Sequence, residues 1–275
     1  MLSAAQLDQA RRRRALPSLK QQWQAYLLQR IETYKNSLRR EELLALGDEA
    51  AQELHTGSAD QFLLTEILML ETVDRLISKR LRLPSYAKWR KQYLELRLAQ
   101  REPIHWGVDS ASALVSLLPR LESDDSVLVV GAGAHAEACL LAAYEAEVTF
   151  LDEDMAVVEQ LEARISGEAL AGQFMAYVAA FGEWLPPFSR DLDLVVIDAA
   201  SISGLPHSQR QALLIALRNV TRPGGVHVLV PGDGAAAPEG YISHYPDWDR
   251  EPLPPIRKGK ASRSRGVILV RPSCP

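Results

Sequence analysis

Residues 126–230 alternate short apolar runs with segments of helical character, and this alternation restricts the possible folds more than any other feature. Runs of four to six mostly Val, Leu and Ile residues are typical of strands buried on both faces. The intervening stretches show helical spacing, as in Leu213, Leu214 and Leu217. Strands that alternate with helices form right-handed βαβ units, so the sequence predicts a parallel sheet covered by helices. The predicted strands are 126–130, 147–151, 174–179, 193–197 and 226–230.

The turn after the first strand carries two closely spaced glycines, Gly131 and Gly133. They let the backbone turn tightly and leave room for a ligand, and the next helix offers free N–H groups. Asp152 follows 21 residues after Gly131, at the end of the second strand, where a carboxylate accepts hydrogen bonds from ribose hydroxyls. The pattern therefore predicts a ribose-bearing ligand. Because Ala136 completes a dinucleotide fingerprint, an NAD-dependent oxidoreductase is one alternative.

The N-terminal part differs from this region in pattern and in charge. Its apolar residues recur at helical spacing, and they predict four helices beginning near Leu19, Glu41, Leu63 and Tyr86. Residues 1–106 hold 18 Lys and Arg against 13 Asp and Glu, whereas residues 107–275 hold 13 against 22. We therefore predict a helical N-terminal domain over 1–106 and an α/β domain over 107–275.

Several classes of protein are excluded by what the sequence lacks. No apolar run approaches the roughly 20 residues that cross a bilayer, and the N-terminus has no secretory signal pattern. The two cysteines, Cys139 and Cys274, give no disulfide framework. The expectation is a cytoplasmic protein without membrane contact, and no metal site is predicted.

The α/β region resembles the class I S-adenosylmethionine-dependent methyltransferases over about residues 107–272. The resemblance implies a Rossmann-like seven-stranded sheet, mostly parallel with an antiparallel last strand. It also implies S-adenosylmethionine as the cofactor and methyl transfer as the reaction. It rests on the order of VLVVGAGA, EVTFLDED, YVAAFGEWLP, DLDLVVIDAA, LRNVTRPGGVHVLV, GYISHYP and GVILVRP, the last two standing for strands six and seven.

The resemblance also implies which residues bind the cofactor, with two departures from the family pattern. His135 stands where the glycine loop usually has a third glycine, and Phe181 stands where an acid commonly reaches the adenine amino group. A phenyl ring stacks on adenine but accepts no such hydrogen bond. The implied cofactor-binding residues are Gly131, Ala132, Gly133, Asp152, Glu153, Phe181, Gly182 and Asp198.

Methyl transfer from a sulfonium requires in-line positioning more than acid–base chemistry. Asp198, at the end of the fourth strand, and His207, in the loop that follows, are the candidate catalytic residues. Asp198 is followed by Ala199-Ala200-Ser201 and not by Pro-Pro and an aromatic residue, so an O- or S-acceptor is favoured over an exocyclic base nitrogen. Alternatives are transfer of the cofactor's aminobutyryl arm and a non-catalytic binding or interaction module.

A small-molecule acceptor is the expected partner, and the helical domain would cover its site or mediate assembly into a homo-oligomer. Nucleic acid is an alternative partner, because phosphates are bound by clustered Lys and Arg. Three basic segments offer such clusters: Arg11–Arg14, Lys79–Arg101 and Arg257–Arg265. His105 and Trp106, just before the α/β region, are candidates for a lid over the cofactor.

Overall fold

The computed structural model describes residues 18–55, 65–170, 174–231, 237–254 and 265–273, and the chain divides into two compact units, Met1–Leu96 and Arg97–Pro275. The division falls ten residues before the predicted domain boundary, so His105 and Trp106 belong to the second unit. Among the described residues, no helix is both long enough and apolar enough to span a bilayer.

The first unit is helical, as its sequence spacing predicts. Ser18 begins the first helix with a capping box, accepting from the N–H of Gln21 while the Gln21 side chain accepts from the Ser18 N–H. Its helices are α1 (Leu19–Ser37), α2 (Arg40–His55), α3 (Thr65–Arg80) and α4 (Tyr86–Gln100), the last of which continues into the second unit. A small buried cluster joins the first three of these helices: Ile31, Leu46, Ala50, Leu76 and Ile77.

The second unit is a seven-stranded sheet with helices on both faces. The strands are β1 (Ser126–Val130), β2 (Glu147–Asp152), β3 (Phe174–Val178), β4 (Leu192–Asp198), β5 (Thr221–Val230), β6 (Asp249–Glu251) and β7 (Val267–Val270). The helices are α5 (Pro103–Trp106), α6 (Ala113–Leu117), α7 (His135–Ala143), α8 (Met155–Gly167), α9 (Ala199–Ser203) and α10 (His207–Val220). In the described ranges, short 3₁₀ helices occupy Leu118–Arg120, Ala132–Ala134 and Pro238–His244.

The strand order is β3-β2-β1-β4-β5-β7-β6. Strands β1 to β5 pair with one another in parallel, and β7 lies antiparallel between β5 and β6. The predicted fold class, a mostly parallel seven-stranded sheet with an antiparallel last strand, is confirmed. Its strand order reverses between β1 and β4, and in such sheets the crevice at the reversal is where ligands bind.

Alternate residues of the central strands supply two separate cores. Val127 and Val129 of β1 pack in the cluster on one face of the sheet with residues of α7 and α8. Leu128 and Val130 pack in the cluster on the other face, with residues of α10. Burial on both faces is what makes these strands continuous apolar runs in the sequence.

The position of the sixth strand differs from the prediction. The segment GYISHYP, expected as a strand, lies largely in the 3₁₀ helix Pro238–His244, and β6 is the charged triplet Asp249–Glu251. Pro238 supplies the fixed φ that favours the first position of a helix. The triplet becomes a strand because it pairs with β7, a cause that its own composition does not reveal.

Candidate functional site

An open cleft of about 460 Å³ lies at the carboxyl ends of β1 and β2. Side chains from both strand ends and from the loop after β3 form its walls. The cleft is therefore on the β2 side of the point where the strand order reverses. Its lining residues are Ala132, Asp152, Glu153, Asp154, Met155, Phe181 and Ser201.

The glycine turn forms one wall of this cleft. Gly131 leaves β1 with a φ of 97°, a conformation that glycine adopts without a side-chain clash, and its N–H donates to the carbonyl of Leu151 at 3.0 Å. The chain then enters the 3₁₀ helix Ala132–Ala134 and passes directly into α7. The turn thus connects the ends of β1 and β2 and starts a helix, as the sequence predicts.

Asp198 closes the crevice between β1 and β4. It ends β4 and caps α9, with one carboxylate oxygen accepting from the N–H of Ala200 at 3.0 Å. The other oxygen accepts from the N–H of Ser201 at 3.0 Å, the Ser201 hydroxyl at 2.5 Å and the N–H of Gly133 at 3.1 Å. The carboxylate is only 2% exposed. Asp198 therefore joins the end of β4 to the glycine turn.

The space that the two glycines provide is taken by side chains of this chain. A Cβ on Gly133 would lie 2.6 Å from an Asp198 carboxylate oxygen, and one on Gly131 would lie 2.7 Å from Ser201 Cβ and Oγ. Asp198 and Ser201 therefore occupy the positions where a Cβ on either glycine would lie, and the role of Gly131 and Gly133 toward a ligand stays a prediction. The open part of the site begins beside Ala132 and extends toward Asp152.

Asp152 and Glu153 place two carboxylates at the end of β2. Asp152 Oδ1 accepts from the N–H of Asp154 at 2.8 Å, and the residue lines the cleft. Burial raises the pKa of the Asp152 carboxyl, while the backbone N–H groups of Asp154 and Glu153 and the charges of those two residues are smaller influences. Glu153 Oε1 accepts from the N–H of Phe181 at 2.7 Å and so holds the loop after β3 against the end of β2.

Phe181 and Gly182 have structural roles that their sequence positions did not predict. Phe181 is buried in the apolar cluster that includes residues of α10, and it also lines the cleft. Gly182 has a φ of 83°, and a Cβ there would lie 2.6 Å from the carbonyl oxygen of Gln209. Packing against α10 therefore explains this glycine without a ligand.

His207 lies outside the cleft. It begins α10 with an exposed side chain, and its ring centroid is 6.2 Å from that of His244. Burial lowers the pKa of His244, with Arg210 and His207 as further causes. Tyr241 connects this group to Asp198, because its hydroxyl donates to the carbonyl of Ala199 at 3.2 Å. Neither of the two candidate catalytic residues is among those that line the cleft.

The candidate lid residues pack away from the cleft. Trp106 is buried, and its indole N–H donates to the carbonyl of Gln100 at 2.6 Å. The Gln100 amide in turn donates to the backbone carbonyl and to the carboxylate of Glu168. A Glu168 carboxylate oxygen lies 3.8 Å from Nε2 of His105. This arrangement makes the segment part of the packing around the end of α8.

The basic segments differ in what the structure describes. Arg11–Arg14 and all of Arg257–Arg265 except Arg265 lie outside the described residues. Arg265 donates to the carbonyls of Ala111 and Pro254. In Lys79–Arg101, four cations pair with acids, namely Lys79, Arg80, Lys91 and Arg101. Trp89 is buried against Tyr93, so this aromatic pair is not free for base stacking.

Sequence reasoning missed Ser201, Asp154 and Met155 as parts of the site. Ser201 has a local signal, since an acid at a strand end followed three residues later by Ser is typical of a capped turn. Its approach to Gly131 depends on the distance between two loops far apart in sequence, which no local pattern reveals. Asp154 was visible as an acid beside Asp152, and its side chain caps α8 by accepting from the N–H of Ala156 at 2.8 Å.

No protein-family model and no curated protein sequence matches the chain. Solved structures of methyltransferases are similar to it. The glycopeptide N-methyltransferase MtfA aligns over 59% of this chain and 95% of its own, at 17% identity and a TM-score of 0.45. The N-methyltransferase NodS from Bradyrhizobium japonicum WM9 aligns over 58% of this chain and 93% of its own, at 13% identity and a TM-score of 0.46. TehB from Haemophilus influenzae aligns over 58% of this chain and 61% of its own, at 16% identity and a TM-score of 0.43.

Proposed function

We propose that the second unit binds the nucleoside part of S-adenosylmethionine in the cleft beside Asp152 and transfers its methyl group to an acceptor. The observation that carries the proposal is the position of the Asp152 carboxylate. It lies at the end of β2 and lines the cleft. An acid in that place, one strand away from a glycine turn, accepts hydrogen bonds from ribose hydroxyls.

The charge of the cleft supports a cationic ligand over a dinucleotide. Three of the seven lining residues are acids, Asp152, Glu153 and Asp154, and none is Lys or Arg. Such a wall attracts a sulfonium and an ammonium group and repels a pyrophosphate. The NAD-dependent alternative is therefore disfavoured, because nothing in the cleft offsets two phosphate charges.

The residues present fit the two ends of the cofactor unequally. At the nucleoside end, Asp152 provides an acceptor in an open cleft of suitable chemistry. At the glycine turn, Asp198 already accepts the Gly133 N–H that a ligand carboxylate would use. When bound, the cofactor would supply an activated methyl group on a good leaving group. The role of the protein would be to hold the sugar, to exclude other ligands by charge, and to align the acceptor.

We propose a small molecule with an oxygen or sulfur nucleophile as the acceptor. We assign to the acceptor side Asp198, at the end of β4, and His207, at the start of α10. The absence of a Pro-Pro-aromatic sequence after Asp198 supports this choice over a base amine. A cytoplasmic location and assembly into a homo-oligomer belong to the same proposal, and nucleic acid stays an alternative partner through Lys79–Arg101.

A non-catalytic nucleoside-binding module is the second candidate, and one observation favours it. The hydrogen bond from Gly133 to Asp198 closes the crevice where strand order reverses, which is the usual position of a reacting ligand in such sheets. A module of this kind would bind a nucleoside and release it unchanged. Transfer of the aminobutyryl arm is distinguished from methyl transfer by its product, methylthioadenosine in place of S-adenosylhomocysteine.

Calorimetry with S-adenosylmethionine and S-adenosylhomocysteine tests the proposal. Replacing Asp152 by Ala should weaken binding of both by about 1–3 kcal/mol, because a partly buried hydrogen bond to the ribose is lost. Glu162→Ala, an exposed change on α8, is the matched control and should leave affinity unchanged. Equal affinities of wild type and Asp152→Ala would show that the sugar is held elsewhere.

A further inference from the structure

Asp198 is an internal anion held only by uncharged donors. Three backbone N–H groups and the Ser201 hydroxyl donate to its carboxylate. None of the ion pairs found among the described residues includes it. All four donors to this carboxylate are therefore neutral groups.

A second, half-buried acid lies close to the same turn. Glu137, in the first turn of α7, has its carboxyl pKa raised, first by burial and also by the charge of Asp198. Asp152, Glu153 and Asp154 line the cleft, so acids are frequent among the described residues from the cleft to the glycine turn. His135, at the start of α7, is the basic side chain whose charge acts on Glu137 in the opposite direction. Like charges that lie close together repel each other.

A ligand arm that extends from the cleft toward the glycine turn meets Ser201 and Asp198. An arm that ends in a carboxylate would compete with Asp198 for the Gly133 N–H, and it would also be repelled by the Asp198 charge. An arm that is neutral or cationic avoids both costs, and a cationic arm gains attraction from the acids. The geometry therefore discriminates between nucleosides by the charge at the end of the arm.

We propose that Asp198 is a specificity-determining residue that disfavours adenosine-type ligands whose 5′ arm carries a carboxylate. The inference rests on the proposed nucleoside site. In this inference the Asp198 side chain competes with the carboxylate of the ligand for the Gly133 N–H. S-adenosylmethionine then binds only when Asp198 releases Gly133, whereas the same sulfonium without its carboxylate binds with that hydrogen bond intact.

The first experiment uses the unmodified protein and changes only the ligand. S-adenosylmethionine and decarboxylated S-adenosylmethionine differ by one carboxylate, and both carry the sulfonium and the ammonium. Calorimetry should show at least tenfold tighter binding of the decarboxylated compound. Equal binding of the two, or tighter binding of S-adenosylmethionine, would overturn the inference and leave the nucleoside site intact. If neither binds, the proposed function fails as well.

The second experiment changes the residue. Asp198→Asn keeps the shape of the side chain but removes the charge and places an amide against the Gly133 N–H. It should reduce the preference for the decarboxylated compound at least threefold, mainly through tighter binding of S-adenosylmethionine. Asp191→Asn removes one exposed carboxylate just before the start of β4 and should leave the preference unchanged. Weaker S-adenosylmethionine binding by Asp198→Asn would instead identify Asp198 as a direct ligand of its ammonium group.

Discussion

At the scale of single residues, Gly133 shows how closely the two sides of the glycine turn approach. Replacing it by Ala puts a Cβ 2.6 Å from an Asp198 carboxylate oxygen. We expect Gly133→Ala to lower the free energy of unfolding by about 1–3 kcal/mol, as overpacking does. Chemical denaturation measures the change. Gly167→Ala, where a Cβ meets nothing within 4 Å, is the control and should change stability by less than about 1 kcal/mol.

The cause of the Gly133 effect is tested by a double-mutant cycle. In an Asp198→Ala background the carboxylate that the new methyl group meets is gone, so Gly133→Ala should cost at least about 1 kcal/mol less than in the wild type. Strict additivity of the two changes would show that the turn backbone, and not Asp198, requires the glycine.

At the scale of elements, Asp154 has two roles at the start of α8. Its side chain accepts from the N–H of Ala156 at 2.8 Å, and its carboxylate also lines the cleft. Asp154→Ala should destabilise the protein by about 1 kcal/mol, because one N–H at the helix start loses its partner. Thermal unfolding measures this. Asp154→Ser keeps a capping oxygen and should restore most of the stability; an equal loss in both variants would contradict a capping role.

The elements also show how far sequence reasoning reached. Strand β1 and the start of β2 were predicted to the residue, because burial on both faces leaves a continuous apolar run with sharp ends. Asp152 was placed at the cleft because the end of β2 fixes its position. The strand β6 and the helix α9 were not predicted. Asp249–Glu251 owes its conformation to its partner, and the five residues of α9 are too few for a periodic pattern.

At the scale of the whole molecule, His227 should shape the pH dependence of stability. Its ring is fully buried in β5, between the Thr221 hydroxyl at 2.8 Å and the Tyr245 hydroxyl at 2.9 Å. Burial lowers its pKa from 6.5 to about 3, with the charges of Arg218 and Arg271 as lesser causes. Trp248 completes the enclosure, its ring centroid 4.5 Å away. The folded protein therefore holds this imidazole neutral where the unfolded chain protonates it.

The sign follows from proton binding. Between these two pKa values the unfolded chain binds more protons, so the contribution of His227 is complete above about pH 6.5 and is lost as the pH falls. Over that window the free energy of unfolding should fall by up to about 1.4 kcal/mol per pH unit through this residue. Denaturation between pH 7.5 and 4.5 should show a flatter profile for His227→Gln than for the wild type. Parallel profiles would assign the acid sensitivity elsewhere.

Buried carboxyls act in the opposite direction in the same experiment. Burial raises the pKa values of Asp152, Glu137 and Asp125, so protonation of these groups favours the folded state as the pH falls through their folded pKa values. These contributions are common to the wild type and His227→Gln. The difference between the two profiles therefore isolates the imidazole, whatever the sum of the carboxyl effects.

The insertion of β7 between β5 and β6 has a consequence for folding during synthesis on the ribosome. A growing chain makes β6 before β7, yet β6 lies at the edge of the sheet and its pairing is with β7. Until residues 267–270 emerge, β5 lacks its antiparallel neighbour and the charged triplet has no strand to join. The sheet is thus completed from within by β7, and a nascent chain stalled before that point can pair at most its five parallel strands.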